Sequence, residues 1–255
     1  MERVIPPPAP PRPRHRVLIA VALAWGLVLV TTGIWYSFHG RPTAREQTTV
    51  AQAQPVVDRA AGAVVHAAGT AAVPAVFGFD KVSDCDVTPL RGGVKYERAV
   101  WLYTTAGGEP DLLQRIADAL PGRYKAQVHH PADGGLPTLT ADAGFFVTVE
   151  GSIPGSGLVT VEVGTGCRSL GHQPAADPSA PPGANPLGVS GGWRVHTLPC
   201  GLRTVAVTGP AARPFSVLPT GGAMVATKDV YANRSGLAAR VDAGTVTSTT
   251  TTGTC

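Results

Sequence analysis

The chain has 255 residues, of which 44% are hydrophobic and 15% charged, and its formal net charge is +4 at pH 7. The basic excess lies at the N-terminus: residues 1–16 contain four arginines and one glutamate, and the rest of the chain is close to neutral. A nucleic-acid-binding domain needs a concentrated basic surface. The charge distribution therefore argues against nucleic acid as a partner.

The first predicted element is a transmembrane helix at residues 17–38, a run without any charged side chain. At 1.5 Å per residue it is about 33 Å long, enough to cross the hydrocarbon core of a bilayer. The preceding arginines place residues 1–16 in the cytoplasm, as a disordered Pro-rich stub, and the remainder outside. A cleaved signal peptide would end in small residues, whereas this run ends in Ile34-Trp35-Tyr36-Ser37-Phe38. We therefore predict an uncleaved anchor in the lipid bilayer.

The four cysteines all follow the predicted span and are Cys85, Cys167, Cys200 and Cys255. An even number of cysteines outside the membrane predicts two disulfides. Three pairings are open, and pairing in sequence order fits the Pro-rich break between Cys167 and Cys200. No Cys-x-x-Cys motif or close Cys/His spacing indicates a metal site.

Residues 39–75 are predicted to form a juxtamembrane helical stalk. Thr43 and Glu46 make a capping box, and Gly69 is a plausible stop. Pro55 is expected to divide this helix into two pieces. The alternatives left open are a helix packed on the folded domain and a surface for a partner helix.

Residues 76–168 are predicted to form an α+β module of order β-β-α-β-β-β with a mostly antiparallel sheet. A hairpin is expected around Arg91-Gly92-Gly93, and the run "EPDLLQRIADALPG" has the apolar stripe of an amphipathic helix. Three further strands are predicted at Tyr124–His129, Gly144–Glu150 and Leu158–Val163.

Residues 169–192 hold five prolines and are predicted to be a Pro/Gly-rich linker. Residues 193–255 contain short strand-like runs and are predicted to form a smaller all-β module. The two modules share weak similarities: "DAG" occurs at 142–144 and again at 242–244, and each module ends in a strand followed by a cysteine. A distant internal repeat would explain both, and so would two strands that are each held by a disulfide.

The motif "GVSGG" places Ser190 in a G-x-S-x-G pattern, which in α/β-hydrolases presents a nucleophilic serine. That motif requires a strand before the serine and a helix after it. Here a Pro-rich segment precedes Ser190 and a strand-like run follows, so we interpret Ser190 as part of a linker. Proximity of His196 in the sequence does not establish a catalytic triad.

Three other groups of polar residues resemble known binding, catalytic or modification patterns. His129 and His130 with Asp133 would suit a metal or a general base, but neighbouring strand residues point to opposite faces. The carboxylates of Asp80, Asp84 and Asp86, around Cys85, suggest a calcium site but lack the spacing of a calcium loop. The sequence "NRS" at Asn233 matches a glycosylation sequon in a surface turn. No metal site, cofactor or catalytic residue is predicted from these patterns.

The layout as a whole resembles that of uncharacterised single-pass actinobacterial membrane proteins. These combine a Pro/Arg-rich cytoplasmic stub, a membrane anchor and a small disulfide-bonded extracytoplasmic domain. The resemblance implies a localisation and transfers no catalytic residues. The bias towards Arg over Lys and towards Ala, Gly, Pro and Val agrees with the high-GC genome that such an origin implies.

From these observations we expect a membrane-anchored extracytoplasmic protein that is not an enzyme and that binds or scaffolds an envelope protein or cell-surface component. The first alternative is an envelope-facing hydrolase using Ser190 or His129/His130. The second is a ligand-sensing ectodomain that acts with a partner subunit.

Overall fold

Three α-helices and twelve strands are found in the computed structural model, which describes residues 13–39, 48–89, 91–174, 177–179, 181 and 183–255. They belong to two separate units, Met1–Thr43 and Ala44–Cys255.

The N-terminal unit contains helix α1 (Pro13–His39). Its stretch His15–Tyr36 is long and apolar enough to cross a membrane, and none of it is buried within the protein. The hydroxyl of Thr31 donates to the carbonyl of Leu27 at 2.8 Å, so this polar side chain is satisfied inside the helix. The predicted span lies within α1, whereas most of the predicted cytoplasmic stub lies outside the described residues.

Helix α2 (Val50–Ala68) begins at a capping box formed by Thr49 and Gln52 and ends at Gly69. The capping box predicted at Thr43 and Glu46 lies outside the described residues. Pro55 does not divide the helix, contrary to the prediction. A proline near the start of a helix removes only one main-chain hydrogen bond, and the buried face of α2 offsets that loss.

The prediction of a stalk at 39–75 is wrong for α2, because this helix is buried. Ten of its residues are buried, and its small side chains pack closely on the sheet behind it. Among them Ala60, Ala61 and Val64 have no exposed surface. A stalk would expose these side chains, so α2 is a core helix of the second unit, and the alternative of a packed helix holds.

The first sheet is antiparallel throughout and has the spatial order β1-β2-β6-β5-β4-β3. Helices α2 and α3 (Glu109–Ala119) pack on one of its faces. This confirms the predicted α+β module, with one strand more than expected. The strands are β1 (Val73–Thr88), β2 (Arg91–Tyr103), β3 (Gln127–His129), β4 (Thr138–Gly144), β5 (Val147–Gly155) and β6 (Leu158–Arg168).

A turn at Phe145-Phe146 divides what was predicted as a single strand, Gly144–Glu150. Both residues have positive φ, 54° and 60°, and Gly144 pairs with Val147 across them. Such a turn normally carries Asn or Gly. Two phenylalanines therefore gave no turn signal in the sequence.

The second sheet is also antiparallel and has the order β7-β8-β12-β11-β10-β9. It confirms the predicted all-β module. Its strands are β7 (Trp193–Thr197), β8 (Arg203–Gly209), β9 (Ala223–Ala226), β10 (Val230–Asn233), β11 (Leu237–Asp242) and β12 (Thr245–Thr252).

The segment predicted as a linker, 169–192, is in part a structural element of the second module. Leu187 and Val189 are buried in a cluster with Val207, Tyr231 and Val246 of the second sheet. The side chain of Asn185 accepts from the N–H of Val189 and donates to its carbonyl, which fixes the segment locally. Helices cover the corresponding apolar surface of the first module. The second module has no α-helix in its described residues and uses this extended segment instead.

The two sheets repeat one strand order, which supports an internal repeat. Cys85 pairs with Cys167 and Cys200 with Cys255, with Cα atoms 6.0 and 4.9 Å apart. Each disulfide joins the first hairpin of its module to the end of its last strand. The two "DAG" segments, however, lie at different places in the repeat, since 142–144 ends the fourth strand of its module and 242–244 follows the fifth.

The modules pack against each other through a second apolar cluster and through α2. Tyr103 and Leu158 of the first sheet meet Val225, Val230 and Ala238 of the second. On the other side of the first sheet, Gly62 of α2 lies against the disulfide Cys200–Cys255. The pair of modules is therefore a single body, in which α2 contacts both.

Candidate functional site

An open groove of about 370 Å³ lies where the edge strand of the first sheet, β1, meets β7 and β8 of the second. It combines an aromatic ring, charges of both signs and a histidine in one place. Its lining consists of Phe77, Gly78, Asp80, Gly192, Arg194, His196, Ala206 and Thr208.

His196, which lines the groove, is paired with Asp177. Nδ1 of His196 lies 2.9 Å from Oδ2 of Asp177, and only 6% of the histidine side chain is exposed. Burial opposes the charged form of Asp177, but His196, Arg98 and Arg194 outweigh it and hold the pKa of this carboxyl below its usual range. The pair fixes the Nδ1 edge of the imidazole and links the segment before β7 to that strand.

A second charged pair lies behind the first. Nε of Arg98 donates to Oδ1 of Asp58 at 2.9 Å, and Nη1 donates to the carbonyl of Phe77 at 2.7 Å. Burial raises the pKa of Asp58, although Arg98 acts in the opposite direction. Arg98 is itself buried and thereby connects α2, β2 and the bulged backbone of β1.

Gly78 is the point at which two carboxylates approach the backbone. A Cβ at this position would collide with the carboxylate of Asp80 and come within 3.0 Å of Oδ2 of Asp177. The glycine lies in the bulge of β1 between Val76 and Phe79. A side chain there would displace the carboxylate of Asp80 and press on that of Asp177.

The ring of Phe77, which lines the groove, lies close to other aromatic rings. The ring centroid of Phe77 lies 4.3 Å from that of Trp101 and 6.1 Å from the imidazole of His196. The guanidinium of Arg240 lies over Trp101, 4.9 Å from its centroid, in a cation–π arrangement. Residues of both modules thus hold Phe77 in position.

The hydroxyl groups described at the groove are already hydrogen-bonded to other residues. The one lining hydroxyl among the described residues, that of Thr208, is hydrogen-bonded to Thr247 at 3.0 Å. The nearby hydroxyl of Thr204 accepts from the N–H of Val76 and pairs with Thr251. A histidine held by a carboxylate can orient a polar ligand or exchange a proton with it.

Ser190 is not part of this site. Its hydroxyl lies 3.4 Å from the carbonyl of Pro210, to which its N–H also donates at 3.0 Å. Ser190 thus lies beside Pro210, whereas His196 pairs with Thr204, about 20 Å away along β8. The strand–serine–helix arrangement of a hydrolase is absent here, as the sequence predicted.

His129 and His130 lie far from the groove. His129 ends β3, at the opposite edge of the first sheet from β1, which is about 24 Å across five strand spacings. Both histidines are exposed. The structure therefore brings neither together with Ser190 or His196.

Asp80 lines the groove, apart from the other two acidic residues around Cys85. Asp84 and Asp86 line a separate hollow beside the disulfide, and Asp84 also pairs with Lys81 at 2.7 Å. Among the described residues, no group of three or more His, Cys, Asp or Glu side chains is placed to hold a metal ion.

The turn predicted at Asn233 is present. Its side-chain oxygen accepts from the N–H groups of Ser235 and Leu237 at 3.1 and 3.2 Å.

Two of the charged residues at this site could have been found from the sequence. Arg98 alternates with Val94, Tyr96, Val100 and Leu102 on one face of β2, and a charge within such an apolar series signals a buried partner. Asp58 is a carboxylate in an otherwise Ala/Val-rich helix. Asp177, in a Pro-rich segment without any periodicity, gave no comparable signal.

No protein-family model matches this chain, and no curated protein or solved structure is detectably similar to it.

Proposed function

We propose that the protein is anchored in a membrane by α1, with its N-terminus in the cytoplasm and the unit Ala44–Cys255 outside. The apolar length of α1 and the arginines that precede its apolar stretch support this orientation. Two disulfides in the second unit agree with an oxidising compartment.

The proposed activity of this outer unit is binding of an envelope protein, without catalysis. The observation that carries this proposal is the groove between β1 and β7, whose walls come from two modules packed into one body. Preformed concave sites with a few converging polar groups are typical of binding sites. Asp80 and Arg194 provide opposite charges in the same groove as the ring of Phe77, which suits a polypeptide carrying both charged and apolar side chains.

The hydrolase alternative is less well supported by the same geometry. His196 is almost completely buried, its Nδ1 is paired with Asp177, and the neighbouring threonine hydroxyls bond each other. A serine hydrolase needs a nucleophile within hydrogen-bond reach of the histidine, and Ser190 lies well beyond that reach.

Photo-cross-linking of the full-length protein in its native membrane tests the binding proposal. Benzoylphenylalanine is incorporated in place of Arg194, in the groove, and in a separate variant in place of Arg115. Arg115 is an exposed arginine on α3 and serves as the matched control. Captured polypeptides are identified by mass spectrometry and tested for binding to the purified full-length protein.

We expect one identified envelope polypeptide to be captured from position 194 and not from 115, and to bind the purified protein. Equal capture from both positions, or none from 194 in well-expressed protein, contradicts the binding proposal. Labelling of Ser190 by a fluorophosphonate probe would support the hydrolase alternative instead.

A further inference from the structure

The turn between β4 and β5 exposes two phenylalanines. Phe145 is 69% exposed and Phe146 47%. Both occupy left-handed backbone, with φ of 54° and 60°, a conformation that favours Asn and Gly over aromatic residues. Large apolar side chains in an unfavourable exposed turn indicate a role in contact with another surface.

A buried arginine holds this turn beside the beginning of the folded unit. Arg168 donates to the carbonyls of Phe145 and Thr165 and to the side chain of Thr48. Only 1% of Arg168 is exposed, so it is a fixed link within the protein. Thr48 is where the described chain resumes after α1, and the Phe145-Phe146 turn therefore lies close to that point.

A third exposed apolar side chain lies at the same end of the unit. Leu170 is 37% exposed and lies between two residues that contact the start of α2. The carbonyl of Ser169 accepts from the N–H of Val50 at 3.1 Å, and Gly171 lies against Thr49. We call Phe145, Phe146 and Leu170 the apolar rim.

The length of chain between the anchor and the rim restricts what the rim can contact. Helix α1 ends at His39, and the folded unit resumes at Thr48, nine residues later. Even fully extended, nine residues span only about 32 Å. Residues beside Thr48 therefore lie next to the point at which the chain connects the second unit to α1.

We propose that the apolar rim inserts into the interface of the lipid bilayer in which α1 is anchored. The proposal rests on the membrane anchoring proposed above and adds a second contact with the same membrane. Exposed aromatic and aliphatic side chains at this depth bury apolar surface among headgroups and acyl chains. Such a contact would hold the groove in a fixed orientation above the membrane.

Lipid photo-cross-linking of the full-length protein in phosphatidylcholine–phosphatidylglycerol vesicles tests this proposal. Benzoylphenylalanine, which is similar in shape to phenylalanine, is incorporated in place of Phe145, and in separate variants in place of Leu136 and Leu27. Leu136 is 60% exposed and lies just before β4, whereas Phe145 follows the end of that strand. The two positions are about 25 Å apart along an extended strand, which makes Leu136 a matched control.

Lipid adducts at position 145 are expected to be at least fivefold more abundant than at 136. Equal yields at both positions, or a protein adduct at 145 in place of lipid, overturn the proposal; a dimer adduct would identify a second copy as the occupant. The variant at position 27, in α1, shows whether the anchor itself lies in the bilayer. It therefore distinguishes a failure of the rim proposal from a failure of the anchoring proposal. Lipid adducts at 27 without adducts at 145 reject the rim alone, whereas no adduct at 27 rejects the anchoring as well.

Discussion

The Arg98–Asp58 pair gives the sharpest test of how α2 is held against the first sheet. Arg98→Met removes the guanidinium but keeps an unbranched side chain in the same place. Asp58 then loses its 2.9 Å partner, and the carbonyl of Phe77 loses a donor at 2.7 Å. Both groups lie where water has little access, since Arg98 is 3% exposed and the side chain of Asp58 15%.

Breaking a buried ion pair by removing one partner typically costs 3–5 kcal/mol, because the remaining charge stays buried. We expect a loss in the free energy of unfolding of about 3 kcal/mol for Arg98→Met at pH 7. For a unit of this size, that corresponds to a fall in Tm of roughly 6–12 °C. Burial already raises the pKa of Asp58, and loss of Arg98 raises it further. Protonation then relieves the buried charge, so the deficit should shrink as the pH falls towards 4.

Lys81→Met is the matched control. Lys81 also pairs with a carboxylate, at 2.7 Å from Asp84, but 43% and 79% of these two side chains are exposed. Surface pairs contribute about 0–1 kcal/mol, so this variant should unfold at nearly the wild-type temperature. Guanidinium and thermal unfolding of the full-length protein in detergent, without reductant, measure both. Equal losses in the two variants, or a loss below about 0.5 kcal/mol for Arg98→Met, would refute the reasoning.

Substitutions at three further positions test other parts of the structure. Gly62→Leu should destabilise by about 1–3 kcal/mol because it overpacks the Cys200–Cys255 disulfide. Gly62→Ala, whose Cβ would lie 3.5 Å from the Sγ of Cys200, should be neutral or stabilising in thermal unfolding; equal losses for both would contradict this packing. Glu162→Gln should raise stability at pH 7 by a few tenths of a kcal/mol, since burial and neighbouring glutamates raise the pKa of Glu162. A raised pKa means that stability falls as the pH rises through it, so urea unfolding should show no gain at pH 3. Asp177→Asn should lower stability at pH 6 but not at pH 2, because a depressed pKa contributes stability that is lost as the carboxyl protonates. A deficit for Asp177→Asn that does not depend on pH would show that its pairing with His196 is not the cause.

Strong periodicity made much of the fold predictable. The alternation in β2 identified its two faces, and the apolar stripe identified α3, whose Leu112, Leu113 and Ile116 are buried as expected. The fold classes of both modules followed from such runs. These signals depend on residues near in sequence, which is why they can be read from one chain.

The rest depended on contacts between distant residues. Whether α2 is a stalk or a core helix is decided by the sheet that it meets, and its Ala-rich face fits either role. Leu187 and Val189 fill the uncovered face of the second sheet from a segment that has no periodicity. The groove could not be predicted because Asp177, Phe77 and His196 come from three different segments.

The most direct test of the central claim is whether filling the groove abolishes binding. The affinity of the polypeptide captured from position 194 is measured for full-length wild type, Thr208→Trp and Arg203→Trp. Thr208 lines the groove, and Arg203 is an exposed residue at the other end of the same strand. The binding proposal predicts at least a tenfold loss, about 1.4 kcal/mol, for Thr208→Trp only. Unchanged affinity in a folded Thr208→Trp protein would contradict it.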